Sequence, residues 1–100
     1  MTRQISLTPE AEADAAEAHA WYAERGMGLA EDFRHSLDEC MNRIASHPDG
    51  YPVVHRSVRR VLLRRFPYCL FYLLDAERAV VIGCFHARRD PQAWRLRDGR

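Results

Sequence analysis

One hundred residues, 47% apolar and 29% charged, with five Gly and five Pro, describe one globular domain rather than a disordered, fibrous or multidomain chain. A chain of this length buries roughly two-thirds of its unfolded surface, enough for a core without disulfides or a structural metal. The longest apolar run, residues 69–74, is far short of the roughly 18 residues of a membrane span, and Met1-Thr2-Arg3-Gln4 opens no signal core. The expectation is a single cytoplasmic domain over residues 1–100, with no membrane partner.

The net charge of +1 conceals a polarity along the chain. Residues 1–50 hold four Arg against ten acids, a balance of −6, while residues 51–100 hold eleven Arg against four acids, a balance of +7. All fifteen basic residues are Arg. A half-chain so rich in planar guanidinium groups suits phosphates, carboxylates or an acidic protein partner.

Ile5 and Leu7 alternate with Gln4 and Ser6, which predicts a short strand ending at Thr8-Pro9. Thr8 is a natural N-cap and Pro9 a natural first helical residue, followed by Glu10, Glu12 and Asp14 at the positive end of the helix dipole. Ala11, Ala15, Ala18 and Tyr22 recur at helical spacing, and seven alanines between positions 11 and 23 leave room for a second helix to approach closely. The turn Arg25-Gly26-Met27-Gly28 leads into that second helix, whose stripe is Leu29, Phe33, Leu37, Cys40 and Ile44 and whose end is set by Pro48. Ala11, Ala15, Ala18, Phe33, Leu37 and Ile44 are the predicted helical core.

After the loop His47-Pro48-Asp49-Gly50-Tyr51-Pro52 the period changes. Residues 58–66, 68–74 and 79–85 are rich in Val, Leu, Ile, Phe and Tyr and are separated by Pro67 and by Asp75-Ala76-Glu77-Arg78, a three-strand meander. Asp90-Pro91 repeats the cap-then-proline signal for a short terminal helix or turn carrying Trp94. The fold class is therefore α+β: an antiparallel four-stranded sheet packed against an α-hairpin, in the order β-α-α-β-β-β with a short C-terminal tail or helix.

The three cysteines have neither C-x-x-C spacing nor a nearby His pair, so no metal site is expected. A tight hairpin centred on Ala76-Glu77 would set Cys69 opposite Cys84, both read as small buried hydrophobes. Arg56, Arg59, Arg60, Arg64 and Arg65 flank an apolar centre, which places at least two of them on the open side of the sheet. They are either the charged protection of a solvated strand or a binding surface. His86 closes the last strand and is followed at once by Arg88 and Arg89. No second His, Cys or Ser completes a catalytic triad, and no Gly-rich phosphate loop is present.

Taken together, Ala20-Trp21-Tyr22, the stretch 44–48, Gly50-Tyr51-Pro52, Arg59-Arg60-Val61-Leu62-Leu63, Phe66-Pro67-Tyr68 and His86-Ala87-Arg88-Arg89-Asp90-Pro91-Gln92-Ala93-Trp94 resemble the RelE/ParE superfamily of bacterial toxins from type II toxin-antitoxin systems. Their order and spacing, over residues 5–95, are closest to its ParE-like branch. The resemblance implies a toxin, of the kind linked to plasmid stabilisation, neutralised in a hetero-oligomer by an acidic antitoxin that folds on binding. It implies no cofactor. ParE-like members poison DNA gyrase and RelE-like members cut messenger RNA on the ribosome. For gyrase poisoning no catalytic residue is needed, and Arg59, Arg60, Arg64, Arg65, Arg88, Arg89 and Trp94 are the expected contacts to target or partner. For the ribonuclease alternative His86 would act as acid or base with Arg65 and Arg60 as cations. The chain departs from that pattern in having no Lys, no basic residue between Val80 and Phe85, and no Tyr in the tail. A toxin diverged to another target, and a non-toxic partner-binding domain of the same fold, complete the expectations.

Overall fold

A computed structural model describes residues 3–98, so the first and last two positions of the expected 1–100 domain lie outside the described residues. Strand β1 (Gln4–Leu7) leads into α1 (Pro9–Ala23), followed by α2 (Leu29–Ser46), β2 (Val53–His55), β3 (Val58–Leu62), β4 (Tyr68–Leu74), β5 (Arg78–His86), the four-residue α3 (Gln92–Arg95) and a 3-10 turn, Leu96–Asp98. No helix among the described residues is long and apolar enough to cross a membrane.

The helix ends form as their sequences dictate. Thr8 Oγ1 accepts the Ala11 N–H at 3.1 Å with Pro9 just inside the helix, and α2 stops one residue before His47-Pro48. Gly28 takes φ 84° to start α2, a conformation that a residue with a Cβ adopts only under strain. The Asp90 carboxylate accepts the Gln92 N–H at 3.0 Å and starts α3.

The sheet has five strands in the order β1-β5-β4-β3-β2 rather than four, and it is mixed. β1 runs parallel to β5, with Ile5 opposite Ala79, while the other pairs are antiparallel. The helical hairpin carries the chain from β1 to β2 at the opposite edge, and the meander β2-β3-β4 brings it back so that β5 can lie parallel to β1. The additional strand, β2, has only three residues and a register irregularity. The stretch 58–66 is a strand only to Leu62; Arg65 then takes φ 72° and the chain folds back onto α2, where Ser36 Oγ donates to the Arg64 carbonyl.

Both faces of the sheet are covered. On the near face Ala11, Ala15, Ala18, Phe33 and Ile44 are buried as predicted, while Leu37 is only half-buried against the core edge. Tyr22 packs 5.3 Å from Phe33 and 4.9 Å from Phe66, and Phe33 lies 5.5 Å from Tyr68, a ring cluster that locks hairpin to sheet. On the far face Val58, Cys69, Phe71, Ile82 and Phe85 form a second core under Trp94, which stacks on Phe71 at 4.6 Å and 15°.

Between Phe71 and Tyr72 the β4–β5 register shifts by one, leaving Ile82 as the extra residue of a bulge. Cys69 therefore faces Phe85 and Leu70 faces Cys84, which corrects the expected pairing of the two cysteines. Cys69 lies in the far core and Cys84 in the near one; all three cysteines are free and buried. At Gly83 a Cβ would fall 2.7 Å from the Phe85 ring, so only glycine allows that ring to lie across the strand.

Candidate functional site

The arginines expected on one surface are divided among three places. Arg59 turns to the near face, half-buried, and donates to the carbonyls of Tyr51 at 2.7 Å and Asp49 at 3.2 Å, bracing the loop before β2. Arg64 and Arg65 stand on the loop after β3 and reach back to α2, 3.5 Å from Glu39 and 3.6 Å from Asp32. Arg60 alone of the four projects from the far face, opposite Phe71, beside Leu62, which is 55% exposed. Arg60 and Arg88 take part in no ion pair among the described residues, and both are exposed. Arg89 lies 5.4 Å from the centre of the Phe85 ring. Trp94 is only 7% exposed; it is the lid of the far core, not a surface anchor.

His86 ends β5 on the near face, paired with Tyr68, whose ring lies 5.5 Å away. Its Nδ1 accepts the Arg88 N–H at 3.1 Å, and its carbonyl accepts the Arg89 N–H at 2.9 Å, so the imidazole and its own backbone build the turn that aims the two arginines. Arg60 is on the opposite face of the sheet and Arg65 is tethered to α2. The structure does not bring the three together.

Sequence spacing gave no signal for the Asp14–Arg97 pair, whose members stand 83 positions apart. Arg97 Nη1 and Nη2 donate to the two Asp14 carboxylate oxygens at 3.0 and 3.1 Å, and Nη1 also donates to the Ile82 carbonyl at 3.0 Å. Asp14 Oδ2 accepts the Cys84 N–H at 3.1 Å. β1 pairs with β5 only as far as Val81, so this ion pair continues the ladder where the strand stops. It fastens the end of the chain to α1 and β5 together.

Beside that clasp a cleft of about 300 Å³ opens between α1 and the end of β5. It is lined by Glu17, Trp21, Glu24, Tyr68, His86 and Arg89, over a floor that includes Ala18 and Cys84. Burial pushes the Tyr68 hydroxyl above its ordinary pKa, with Cys84 and Glu17 adding to the effect. The Cys84 thiol is pushed up to about 12, by burial first and by the Asp14 carboxylate second, so it is no nucleophile at neutral pH. Among the described residues no cluster of His, Cys, Asp and Glu is placed to hold a metal ion.

Comparison with known proteins accords with this arrangement. The chain is similar in structure to a chain of the chromosomal ParDE toxin-antitoxin system from Pseudomonas aeruginosa, with a TM-score of 0.63 and 14% identity over 85% of this chain and 96% of that one. It is similar also to a chain of the toxin-antitoxin complex RelBE2 from Mycobacterium tuberculosis, with a TM-score of 0.62 and 14% identity over 86% and 99% of the two chains. At that identity the likeness is one of fold. Curated proteins give no significant match. The family model for the ParE toxin of the type II toxin-antitoxin system parDE matches residues 5–91. Five-stranded sheet, helical hairpin and near-complete model coverage place this chain in the ParE toxin family of type II toxin-antitoxin systems.

Proposed function

We propose that this toxin acts by binding DNA gyrase and trapping it on cleaved DNA, and that a small acidic antitoxin encoded beside it neutralises it by folding over its arginine-bearing surface. The observation that carries the reading is the separation of His86, Arg60 and Arg65. Ribonuclease chemistry needs a base, an acid and cations converging on one phosphate. Here the one imidazole of the trio is engaged in a turn on the near face, and one of its two cations projects from the far face. A protein that works by contact needs no such convergence.

The antitoxin reading draws support from the exposed Arg60, Arg88 and Arg89 and from the exposed Leu62 on the same strand as Arg60, a mixture that suits an acidic segment with apolar anchors. Partner charges on a solvated rim steer association and are screened by salt. The association rate should fall severalfold between about 50 and 500 mM salt, and an unchanged rate would remove these arginines from the account.

The target is tested with purified protein in a gyrase supercoiling assay with detection of cleavage complexes, beside cleavage of messenger on programmed ribosomes. Accumulation of linear DNA with intact messenger is the expected result. Cutting of messenger with gyrase unaffected would install the ribonuclease alternative, and inactivity in both assays would leave a toxin of another target or a partner-binding domain.

A further inference from the structure

The cleft between α1 and the end of β5 has a composition that the toxin reading does not use. Its lining holds three carboxylates, Asp14, Glu17 and Glu24, against one guanidinium, Arg89. Asp14 is saturated by Arg97 and the Cys84 N–H. Glu24 lies 3.5 Å from Arg25, at the exposed rim. Glu17 has no ion pair among the described residues, yet its charge is felt at the Tyr68 hydroxyl. The walls are rings: Trp21, 48% exposed, Tyr68, Phe85 and His86.

Carboxylates beside the faces of electron-rich rings are what a guanidinium or ammonium group seeks, since the ring quadrupole and the anion both attract it. The chain already uses this chemistry, at Arg97 between Asp14 and the Phe85 ring and again at the rim of the cleft. Arg25 lies 3.7 Å over the Trp21 ring, donates to the Trp21 carbonyl at 3.0 Å and pairs with Glu24. The same indole and the same carboxylate border the cleft, and a volume of about 300 Å³ accommodates one long side chain.

We propose that this cleft is a docking site for a single arginine side chain of a partner protein, laid against the Trp21 and Tyr68 rings with Glu17 as its counter-charge. With Asp14 and Glu24 already paired, Glu17 is the carboxylate left to meet a cation there, and Arg89 borders both this cleft and the arginine-bearing surface. A partner that uses both must carry a basic anchor next to its acidic segment, which acidic composition alone does not supply.

The test needs no assumption about toxicity or target. The purified full chain is titrated with the blocked peptides acetyl-Gly-Arg-Gly-amide, acetyl-Gly-Leu-Gly-amide and acetyl-Gly-Glu-Gly-amide, and with spermidine, while the Trp21 indole N–H and His86 ring resonances are followed. Saturable shifts at millimolar arginine peptide, at least about tenfold weaker with the leucine and glutamate peptides, are expected; Glu17→Gln should weaken the arginine peptide about fivefold, as for loss of a partly exposed charge-assisted contact. Glu17 is on the solvent side of α1, and an unchanged melting temperature confirms that the variant is folded. Absence of saturable shifts, equal binding of the leucine peptide, or indifference to Glu17→Gln would overturn the proposal. Tighter binding of spermidine would overturn it as well, by making the site one for a free polyamine.

Discussion

The two faces of the sheet are buried by very different means. The near face is covered by two helices of 15 and 18 residues, whose rings Tyr22 and Phe33 interlock with Phe66 and Tyr68. The far face is covered by a helix of four residues that contributes one large side chain, Trp94, with Arg97 fastening the segment to Asp14. The near face therefore holds the larger of the two cores, while the far face leaves Arg60 and Leu62 exposed at its margin. Near-face residues should answer to denaturant, and residues at the margins of the far face should answer to partners.

Cavity mutations separate the faces most sharply. Phe33 is fully buried among three other rings, so Phe33→Ala should cost about 3–5 kcal/mol in denaturant unfolding. Trp94→Ala, on the thinner layer, should cost about 2–3 kcal/mol and should raise hydrogen exchange in the far core more than in the hairpin. Equal losses spread over the whole molecule would show that the two cores are one cooperative unit and dissolve the distinction. A smaller effect is expected at the clasp. Arg97→Met leaves the Asp14 carboxylate with the Cys84 N–H and removes the guanidinium from it and from the Ile82 carbonyl, at about 1–2 kcal/mol, reduced because the pair retains some solvent contact. Asp14→Asn should cost less than Arg97→Met, since the amide oxygen still accepts the Cys84 N–H; the reverse order in thermal melts would assign the clasp a different origin.

A further contrast is one of pH. Burial raises the thiols of Cys40 and Cys84 to about 12 in the folded chain, above their usual value. A folded pKa above the unfolded one means that the stabilisation is complete below the unfolded pKa and is lost as pH climbs toward the folded one. Stability should decline from about pH 9 upward, and Cys84→Ala should lessen that decline. Melting temperatures across pH 7–11 measure it, and an alkaline profile unchanged by Cys84→Ala would remove the thiol as its cause.

The helical layer was legible in the sequence because its signals are local: Thr8-Pro9 and Pro48 mark ends, and the spacing of Ala11, Ala15, Ala18, Phe33 and Ile44 marks a face. What the sequence did not disclose was long-range. β2 is three residues behind Pro52, too short for alternation to register, and the parallel placement of β1 beside β5 depends on a crossover rather than on either strand. One bulge residue, Ile82, sent Cys69 and Cys84 to opposite faces, because a shift of one residue reverses every side chain beyond it. For the site, the composition disclosed an arginine-rich half-chain but not that Arg59, Arg64 and Arg65 brace loops and α2, nor that Trp94 turns inward. Charge counts reveal abundance; partners at 3–4 Å are decided by the fold.

His86 offers the most direct measurement of the central claim, that this toxin works by contact and not by cutting. His86→Gln keeps an acceptor for the Arg88 N–H and removes the ring that could exchange a proton at neutral pH. Assayed against gyrase and against programmed ribosomes, the variant should trap gyrase on cleaved DNA within about twofold of the unaltered protein, since no general acid or base is lost. Ribosome-dependent cutting of messenger by the unaltered protein, falling about 100-fold or more in His86→Gln while gyrase is untouched by either, would contradict the account.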